Sequence, residues 1–273
     1  MVNQLGIALL MVFAPIATAQ GAPPGAEALG YSKCVINEKP AAPDIAPGAT
    51  GNYKWFSGQW FAQPPSLDRY QTIQGALTLA LDGEIVSRSR DFSTGKLPAL
   101  SGSDGFYAEF DVRLSDNDPD HWPAVWLMPV EHNGKQQDHY SGDPVHFERW
   151  MELDIDEGGF CTGLAGTVLS WTGIWPHYQR AFNPNHLSPI PLDRTHAHTF
   201  GASYDPADAK VNWWVDGANQ MSAGLPHVPT IAANQHFYLI ISAQSHGKNK
   251  PYSMFINGVR AYVPARSILP AAP

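Results

Sequence analysis

The sequence predicts an all-β protein built as two stacked antiparallel sheets. From Tyr53 onward, short apolar or alternating runs recur between turn dipeptides such as Asp82-Gly83 and Asn257-Gly258. No window shows apolar residues sustained at the i, i+3, i+4, i+7 spacing of an amphipathic helix. About ten strands at this spacing are typical of a β-sandwich, and a body of this length forms one domain.

Each candidate strand is identified by alternation or by a short apolar run that ends near a turn signal. In the run from 106 to 114, Phe106, Phe110 and Leu114 alternate with Tyr107 and Arg113, so one face packs against a core. In chain order, the candidate strands are Thr72–Leu81, Phe106–Leu114, Ala124–Met128, Arg149–Ile155, Gly166–Trp171, Thr199–Tyr204, Val211–Val215, Phe237–Ala243 and Tyr252–Val263.

Charge and composition exclude several classes of partner. The chain has 17 Lys and Arg against 25 Asp and Glu among 273 residues, a net charge of −8 with histidine neutral. Binding to nucleic acid or to an acidic membrane surface needs clustered basic residues, and the sequence has no such cluster. Hydrophobic residues make up 44%, which is enough for a core and argues against disorder. We expect a monomer.

The N-terminus has the pattern of an export signal. The apolar run Leu5 to Ile16 is shorter than the ~20 residues that span a bilayer, and Ala17-Thr18-Ala19 is a small-x-small cleavage pattern. We expect residues 1–19 to be a signal peptide cleaved after Ala19, with a secreted or periplasmic mature protein. An uncleaved anchor is the alternative.

The domain organisation follows from composition. Residues 20–50 are dense in Ala, Pro and Gly and lack apolar periodicity, which predicts a linker or an extended arm. Residues 51–266 then form the catalytic or binding domain. The two cysteines, Cys34 and Cys161, either form one disulfide or stay as two buried free thiols, and they are too few for a Cys-ligated zinc site.

Histidines provide no metal-binding pattern. The polar segment from Glu131 to His146 is predicted to be a surface loop, and the histidines in and around it lack the tight spacing of metal ligands. The pair His196 and His198 has that spacing but no third partner nearby. We expect solvated loop histidines at 121, 132, 139 and 146, and we expect no metal and no cofactor.

The run from Glu148 to Glu157 is the segment that indicates chemistry. Alternation places carboxylates and one Trp on one face and apolar residues on the other; the first face holds Glu148, Trp150, Glu152 and Asp154. Like charges this close disfavour joint ionisation. Hydrolysis of a glycosidic bond by a retaining enzyme uses two such carboxylates, one as nucleophile and one as acid.

Side chains along a strand alternate between its two faces, so the spacing of the acidic residues decides which of them lie together. Glu152 and Glu157 are five residues apart and would face opposite ways in a regular strand. One extra residue in a β-bulge would return Glu157 to the face of Glu152, and Gly158-Gly159 favours irregular backbone there. Without a bulge, Asp156 would take the acid role.

The motif ELDIDE (152–157) resembles the bulged E-x-D-x-x-E signature of glycoside hydrolase family 16, the laminarinase, agarase and endo-β-glucanase group. The resemblance covers roughly 53–263. It includes GFYAEFDVR (105–113), WPAVWL (122–127), FGASYD (200–205), WWVDG (213–217) and GVRAY (258–262).

The resemblance implies a β-jelly roll with a concave cleft and a retaining endo-glycosidase that acts on β-linked glucans or galactans. It implies Glu152 as nucleophile, Glu157 as general acid/base, and Asp154 as the group hydrogen-bonded to the nucleophile. We expect the trio to titrate as a coupled unit, with burial and like charge raising the pKa of Glu157. The alternatives are a non-catalytic carbohydrate-binding jelly roll and a transglycosylase that uses the same residues.

Three positions depart from the family pattern. Ser170 stands where many members carry a His shortly after the signature, so that sugar contact is not transferred. The closing strand has Asn257 and Gly258 where Asp and an aromatic residue are frequent, so the calcium site of some members is not transferred either.

Aromatic residues are the candidate sugar platforms. Parity places Trp150 beside Glu152, and the family motif adds Trp122 and Trp126. Trp171 and Trp175 are expected at the rim of the cleft. The scarcity of basic residues near the motif predicts a largely neutral polysaccharide, although Arg180 and Lys248 or Lys250 could meet an acidic group.

Overall fold

The structure is a computed structural model in which residues 21–266 are described. The expected signal peptide, residues 1–19, lies outside this range. One short helix, α1 (Pro24–Ala28), precedes the strands, and single 3-10 turns lie at Ala42–Asp44, Leu67–Arg69 and Thr230–Asn234. The strands are β1 (Tyr31–Glu38), β2 (Phe56–Ser57), β3 (Tyr70–Ile73), β4 (Ala76–Ala80), β5 (Glu84–Val86), β6 (Leu100–Ser101), β7 (Phe106–Leu114), β8 (Trp122–Pro129), β9 (Glu148–Glu157), β10 (Thr167–Ile174), β11 (His177–Phe182), β12 (His198–Asp205), β13 (Lys210–Val215), β14 (Ala218–Ala223), β15 (His236–Gln244) and β16 (Ser253–Pro264).

The strands form two antiparallel sheets. The cleft sheet has the order β11-β10-β9-β8-β15-β5-β2, with β6 also paired to β15. The back sheet has the order β14-β13-β12-β7-β16-β4-β3, with β1 also paired to β16. Both sheets contribute their inner faces to one core, for example Leu153 and Ile241 from the cleft sheet and Phe110 and Phe200 from the back sheet. The predicted two-sheet sandwich is confirmed.

The segment expected as a linker or arm is part of the fold. Strand β1 pairs antiparallel with β16, and Ala22 and Ala26 pack on the outer face of the back sheet against Tyr107 and Trp214. Of the two alternatives, a linker or an extended arm, these contacts favour an arm that packs on the sandwich. Only Tyr31 and a few other side chains of the segment are buried, which is why the sequence shows no apolar alternation there.

Several strands were not predicted because they lack an alternating pattern. β11 and β14 are largely exposed strands at the sheet edges, and their residues are mostly polar. The single run expected over Thr72–Leu81 is a hairpin instead, because Gln74 and Gly75 both have positive φ and turn the chain.

The two cysteines are not bridged. Cys34 is exposed on β1, and Cys161 is half-buried after β9. The free-thiol alternative therefore holds, although neither thiol is fully buried. Among residues 21–266, no helix is long and apolar enough to cross a bilayer.

Candidate active site

A β-bulge in β9 brings the predicted acids together. Val125 of β8 pairs with Asp156, while the next residue, Trp126, pairs with Asp154, so Ile155 has no partner on β8. The Ile155 side chain is buried in the core. The extra residue changes the parity of the strand, as the sequence predicted, and Glu157 lies on the outer face with Glu152. We call Glu152, Asp154 and Glu157 the acid trio.

Burial raises all three pKa values, and neighbouring carboxylates add to the effect. Desolvation raises the pKa of Glu152 to about 7, and the charge of Glu157 adds to the effect. Burial also raises the pKa of Asp154 well above its usual range, with contributions from Glu152 and Glu157. The pKa of Glu157 is raised mainly by burial. The trio therefore holds protons at a pH where isolated carboxyls would have lost them.

Two indole N–H groups hold the glutamates in place. Trp171 Nε1 donates to Glu152 Oε2 at 2.7 Å, and Trp122 Nε1 donates to Glu157 Oε1 at 2.8 Å. Both bonds lower the pKa of the accepting carboxyl, against the effect of burial. Trp122 and Trp171 therefore contact the glutamates through their N–H groups, whereas the sequence analysis predicted that their rings stack on sugars.

Asp154 lies between the glutamates without a direct bond. It is 4% exposed, and its Oδ2 has no hydrogen-bond partner in the described part of the chain. The hydrogen bond to Glu152 that the family resemblance implied is absent. An unpaired buried carboxyl oxygen favours the protonated form, in agreement with the raised pKa of Asp154.

Asp156 is excluded as the acid by its partner. Arg194 Nη1 donates to Asp156 Oδ2 at 2.6 Å and Arg194 Nη2 to Oδ1 at 2.9 Å, and both side chains are almost fully buried. Arg194 also donates to the carbonyl of Gly163. This bidentate ion pair ties the bulged end of β9 to the following loop and leaves Glu157 as the second glutamate on the face of Glu152.

An aromatic cleft of about 810 Å³ opens beside Glu152. The sequence did not single out Trp60 and Phe61, which precede the predicted strands in an irregular segment and line the cleft. The lining residues that we call the aromatic cleft are Trp60, Phe61, Trp126, Met128, His132, Asn133, Gly134, Gln136, Glu148, Trp150, Glu152, Trp171, Trp175 and Tyr178.

Trp150 forms a wall of this cleft more than a platform. It is 3% exposed, and its ring lies parallel to the rings of His132 at 3.5 Å and Trp171 at 5.7 Å. A sugar therefore reaches little of the Trp150 face. Trp175, in contrast, is 71% exposed at the rim, and Phe61 is 58% exposed. These rings offer open faces for stacking.

Two of the four loop histidines differ from the expectation of solvated side chains, whereas His139 and His146 are exposed as expected. His132 and His121 are buried. His132 Nδ1 hydrogen-bonds Asp138 Oδ2 at 2.7 Å, and Glu148, which accepts a bond from Tyr178, lies 3.9 Å from the same nitrogen. The side chains of His132, Asp138 and Glu148 each offer one nitrogen or oxygen atom that could bind a metal ion, and these atoms lie within 4.8 Å of one another. His132 also stacks on Trp150, so this group helps to hold the Trp150 ring in place.

The predicted basic residues divide into two groups. Lys248 and Lys250 form ion pairs with Asp118 and Asp120, so they are not free to meet an acidic sugar. Arg180 lies exposed on β11 with its guanidinium 6.0 Å from the Trp171 ring, and it lowers the pKa of both glutamates.

Two of the positions that depart from the family pattern, Ser170 and Asn257, lie away from the trio. Ser170 pairs with Met151, whose side chain is buried in the core, so Ser170 shares the inner face of the sheet. Asn257 donates to Asp111 between β16 and β7.

Among the comparisons with known proteins, the one with solved structures finds matches. No protein-family model matches the sequence, and a comparison with curated proteins finds no match. The fold is similar to that of a solved 1,3-α-1,4-β-D-galactose-4-sulfate-3,6-anhydro-D-galactose 4 galactohydrolase, with a TM-score of 0.53 and 14% identity over 93% of this chain and 99% of that chain.

Two further structures have comparable folds. A GlcNAcα1-4Gal-releasing endo-β-galactosidase from Clostridium perfringens gives a TM-score of 0.53 and 14% identity over 94% of this chain and 66% of that chain. A structure described with endo-acting O-glycanases of the human gut microbiota gives a TM-score of 0.50 and 15% identity over 85% of this chain and 99% of that chain. The two-sheet sandwich of this chain is therefore shared with these three structures.

Proposed function

We propose that this chain is a secreted retaining endo-glycosidase that hydrolyses a β-linked polysaccharide, a β-glucan or a galactan. The observation that supports this most is the bulge at Ile155, which turns Glu157 to the face that carries Glu152 and Asp154. Two carboxyls on one face beside an open aromatic cleft are what double displacement at a sugar carbon needs.

In the first step, ionised Glu152 attacks the anomeric carbon and forms a covalent glycosyl ester. Glu157 donates its proton to the glycosidic oxygen as the carbon–oxygen bond breaks. Burial raises the pKa of Glu157 and so favours the protonated form that an acid needs. The Trp171 N–H bond stabilises the carboxylate form of Glu152.

In the second step, Glu157 accepts a proton from water while the water oxygen attacks the same carbon and releases Glu152. Two inversions leave the anomeric configuration unchanged. Asp154 keeps a proton because its pKa is raised well above the usual range, and a protonated Asp154 does not compete with Glu152 for negative charge.

The cleft favours a neutral substrate. Its lining is mostly aromatic and includes no lysine or arginine. Flat rings stack on the C–H faces of sugars, while hydroxyl groups stay free for water or polar side chains. The names of the three structural neighbours describe endo-acting or galactose-directed enzymes, which supports endo cleavage and keeps galactans among the candidates.

The test is reducing-sugar release from laminarin, mixed-linkage β-glucan, agarose, carrageenan and bacterial exopolysaccharides. On the polysaccharide that wild-type protein cleaves, Glu152→Gln is expected to lower turnover by about 10⁴-fold or more while sugar binding remains. The matched control is Glu109→Gln, another buried glutamate.

The outcomes separate the alternatives. Unchanged release by Glu152→Gln would contradict the mechanism. Binding of a polysaccharide by wild-type protein without cleavage would favour the carbohydrate-binding alternative. Products longer than a defined oligosaccharide substrate would indicate a transglycosylase.

Export is part of the proposal and rests on residues 1–19 of the sequence. The expected mature chain begins at Gln20. N-terminal sequencing of protein recovered from the periplasm or the medium tests this expectation, and a mature chain that retains the apolar run Leu5 to Ile16 would contradict it.

A further inference from the structure

A second group of aromatic side chains borders the acid trio outside the aromatic cleft. Phe160 and Phe182 are 49% and 47% exposed. His186 makes an edge contact with each ring, at 6.1 Å to Phe160 and 5.6 Å to Phe182. We call these three residues the Phe160 patch. Exposed aromatic rings that cluster in one place are typical of a binding surface.

Trp122 connects the Phe160 patch to Glu157. The Trp122 ring contacts Phe160 at 4.8 Å, and its N–H donates to Glu157 at 2.8 Å. Gly159 makes this contact available, because its φ is +79° and a Cβ there would lie 2.0 Å from the Trp122 ring. The glycine lets the loop pass directly over Trp122 and places Phe160 beside the acid.

The strand register connects the Phe160 patch to Glu152. Phe182 pairs with Leu169 on β10, and Leu169 pairs with Glu152 on β9. Directly paired residues of neighbouring antiparallel strands share a face. Phe182 therefore lies in the same row as Glu152, on the outer face of the cleft sheet.

The roles of the two glutamates assign the two aromatic surfaces to different parts of the substrate. Glu152, which would hold the cleaved sugar as a covalent ester, lines the aromatic cleft, whereas neither Asp154 nor Glu157 does. Glu157, which would protonate the departing oxygen, is held by Trp122 next to Phe160.

We propose that the Phe160 patch is the leaving-group subsite, which binds the C–H faces of the neutral sugar residues on the reducing-end side of the cleaved bond. This inference rests on the proposed function. The aromatic cleft then holds the part of the chain that stays bound to Glu152. Polysaccharide binding extends over both aromatic surfaces, with the acid trio between them.

The test compares two substrates of Phe160→Ala/Phe182→Ala. One is a defined oligosaccharide of the polysaccharide that wild-type protein cleaves. The other is the 4-nitrophenyl glycoside of its disaccharide, which places no sugar in the leaving-group subsite. We expect kcat/KM on the oligosaccharide to fall by about tenfold, equivalent to ~1.4 kcal/mol. The value on the nitrophenyl glycoside should stay within about twofold of wild type.

The matched control is Leu67→Ala/Ile73→Ala, which removes two exposed apolar side chains far from the trio. An unchanged rate of the Phe160 patch variant on the oligosaccharide, or an equal loss on both substrates, would overturn the assignment. If wild-type protein cleaves neither substrate nor any polysaccharide, the proposed function itself fails, and the two failures are thereby distinguished.

Discussion

The outer faces of both sheets bury carboxylates beside aromatic rings. The two faces differ in the partners that these carboxylates have. On the back sheet, Glu109 is 1% exposed, but Arg260 forms an ion pair with it at 2.5 Å and the Tyr107 hydroxyl donates at 2.7 Å. On the cleft sheet, no member of the acid trio has an ion pair within residues 21–266.

The aromatic rings of the two faces differ as well. On the back sheet, Tyr107, Trp214 and Tyr262 are covered by Ala22 and Ala26 of the N-terminal segment. On the cleft sheet, Trp175 and Phe160 remain open to solvent. A paired carboxylate under a covered aromatic cluster stabilises the fold, whereas unpaired carboxyls beside open rings are typical of a site that binds and reacts.

The largest expected difference between the two faces is in activity. We expect Glu157→Gln to lower kcat on polysaccharide by about 10²–10⁴-fold, because an amide N–H is too weak an acid to protonate the leaving oxygen. The loss should be smaller on a nitrophenyl glycoside, whose leaving group needs little protonation. Glu109→Gln should leave both rates unchanged, and an equal loss in the two variants would remove the functional distinction between the faces.

The next effect tests the ion pair behind the bulge. Arg194→Met leaves Asp156 buried without its partner, and we expect the free energy of unfolding to fall by about 3–5 kcal/mol. Because Asp156 precedes Glu157, activity on polysaccharide should fall at temperatures where the variant is still folded. Chemical denaturation measures the change in the free energy of unfolding. The kcat on polysaccharide, measured below the melting temperature of the variant, measures the change in activity. A variant as stable as wild type would show that the pair does not fix this end of β9.

A smaller effect concerns the stability cost of the site. The pKa of Glu152 is raised to about 7, so the folded state keeps a proton that the unfolded state loses above its ordinary value of 4.5. Stability contributed by this proton is present below that value and is lost as pH rises toward about 7. Glu152→Gln should therefore melt higher than wild type above pH ~7 and match it at acidic pH, with 1 kcal/mol corresponding to about 2–4 °C. Equal melting curves at every pH would contradict the raised pKa.

The smallest effect concerns Arg180. Its charge lowers the pKa of Glu152 and Glu157, so Arg180→Gln should raise both values. Both limbs of the pH profile of kcat/KM then move to higher pH, because the nucleophile ionises later and the acid keeps its proton longer. Arg180 is exposed and screened by solvent, so the shift is expected to be small and to shrink with added salt. A shift to lower pH would contradict this role.

The sequence predicted the main strands and the trio because both follow from local patterns. Alternation defines strands such as β7, and the spacing of the acids with Gly158-Gly159 favours the bulge that the structure has at Ile155. Edge strands such as β11 carry no pattern, since solvent covers most of their side chains.

Contacts between segments that are distant along the chain could not be predicted from the sequence. The burial of Trp150 depends on His132, which a loop brings over the ring, and no spacing rule connects the two. Arg194 lies 38 residues from Asp156, so nothing local marked the ion pair. The Phe160 patch likewise joins residues from a loop, an edge strand and the segment after it.

Trapping the covalent intermediate tests the central claim most directly. A 2-deoxy-2-fluoro glycoside with a good leaving group, matched to the polysaccharide that the protein cleaves, should label wild-type protein, and peptide mass spectrometry should find the sugar on Glu152. Label on Glu157 or Asp156, or turnover without any labelled intermediate, would contradict the double-displacement account.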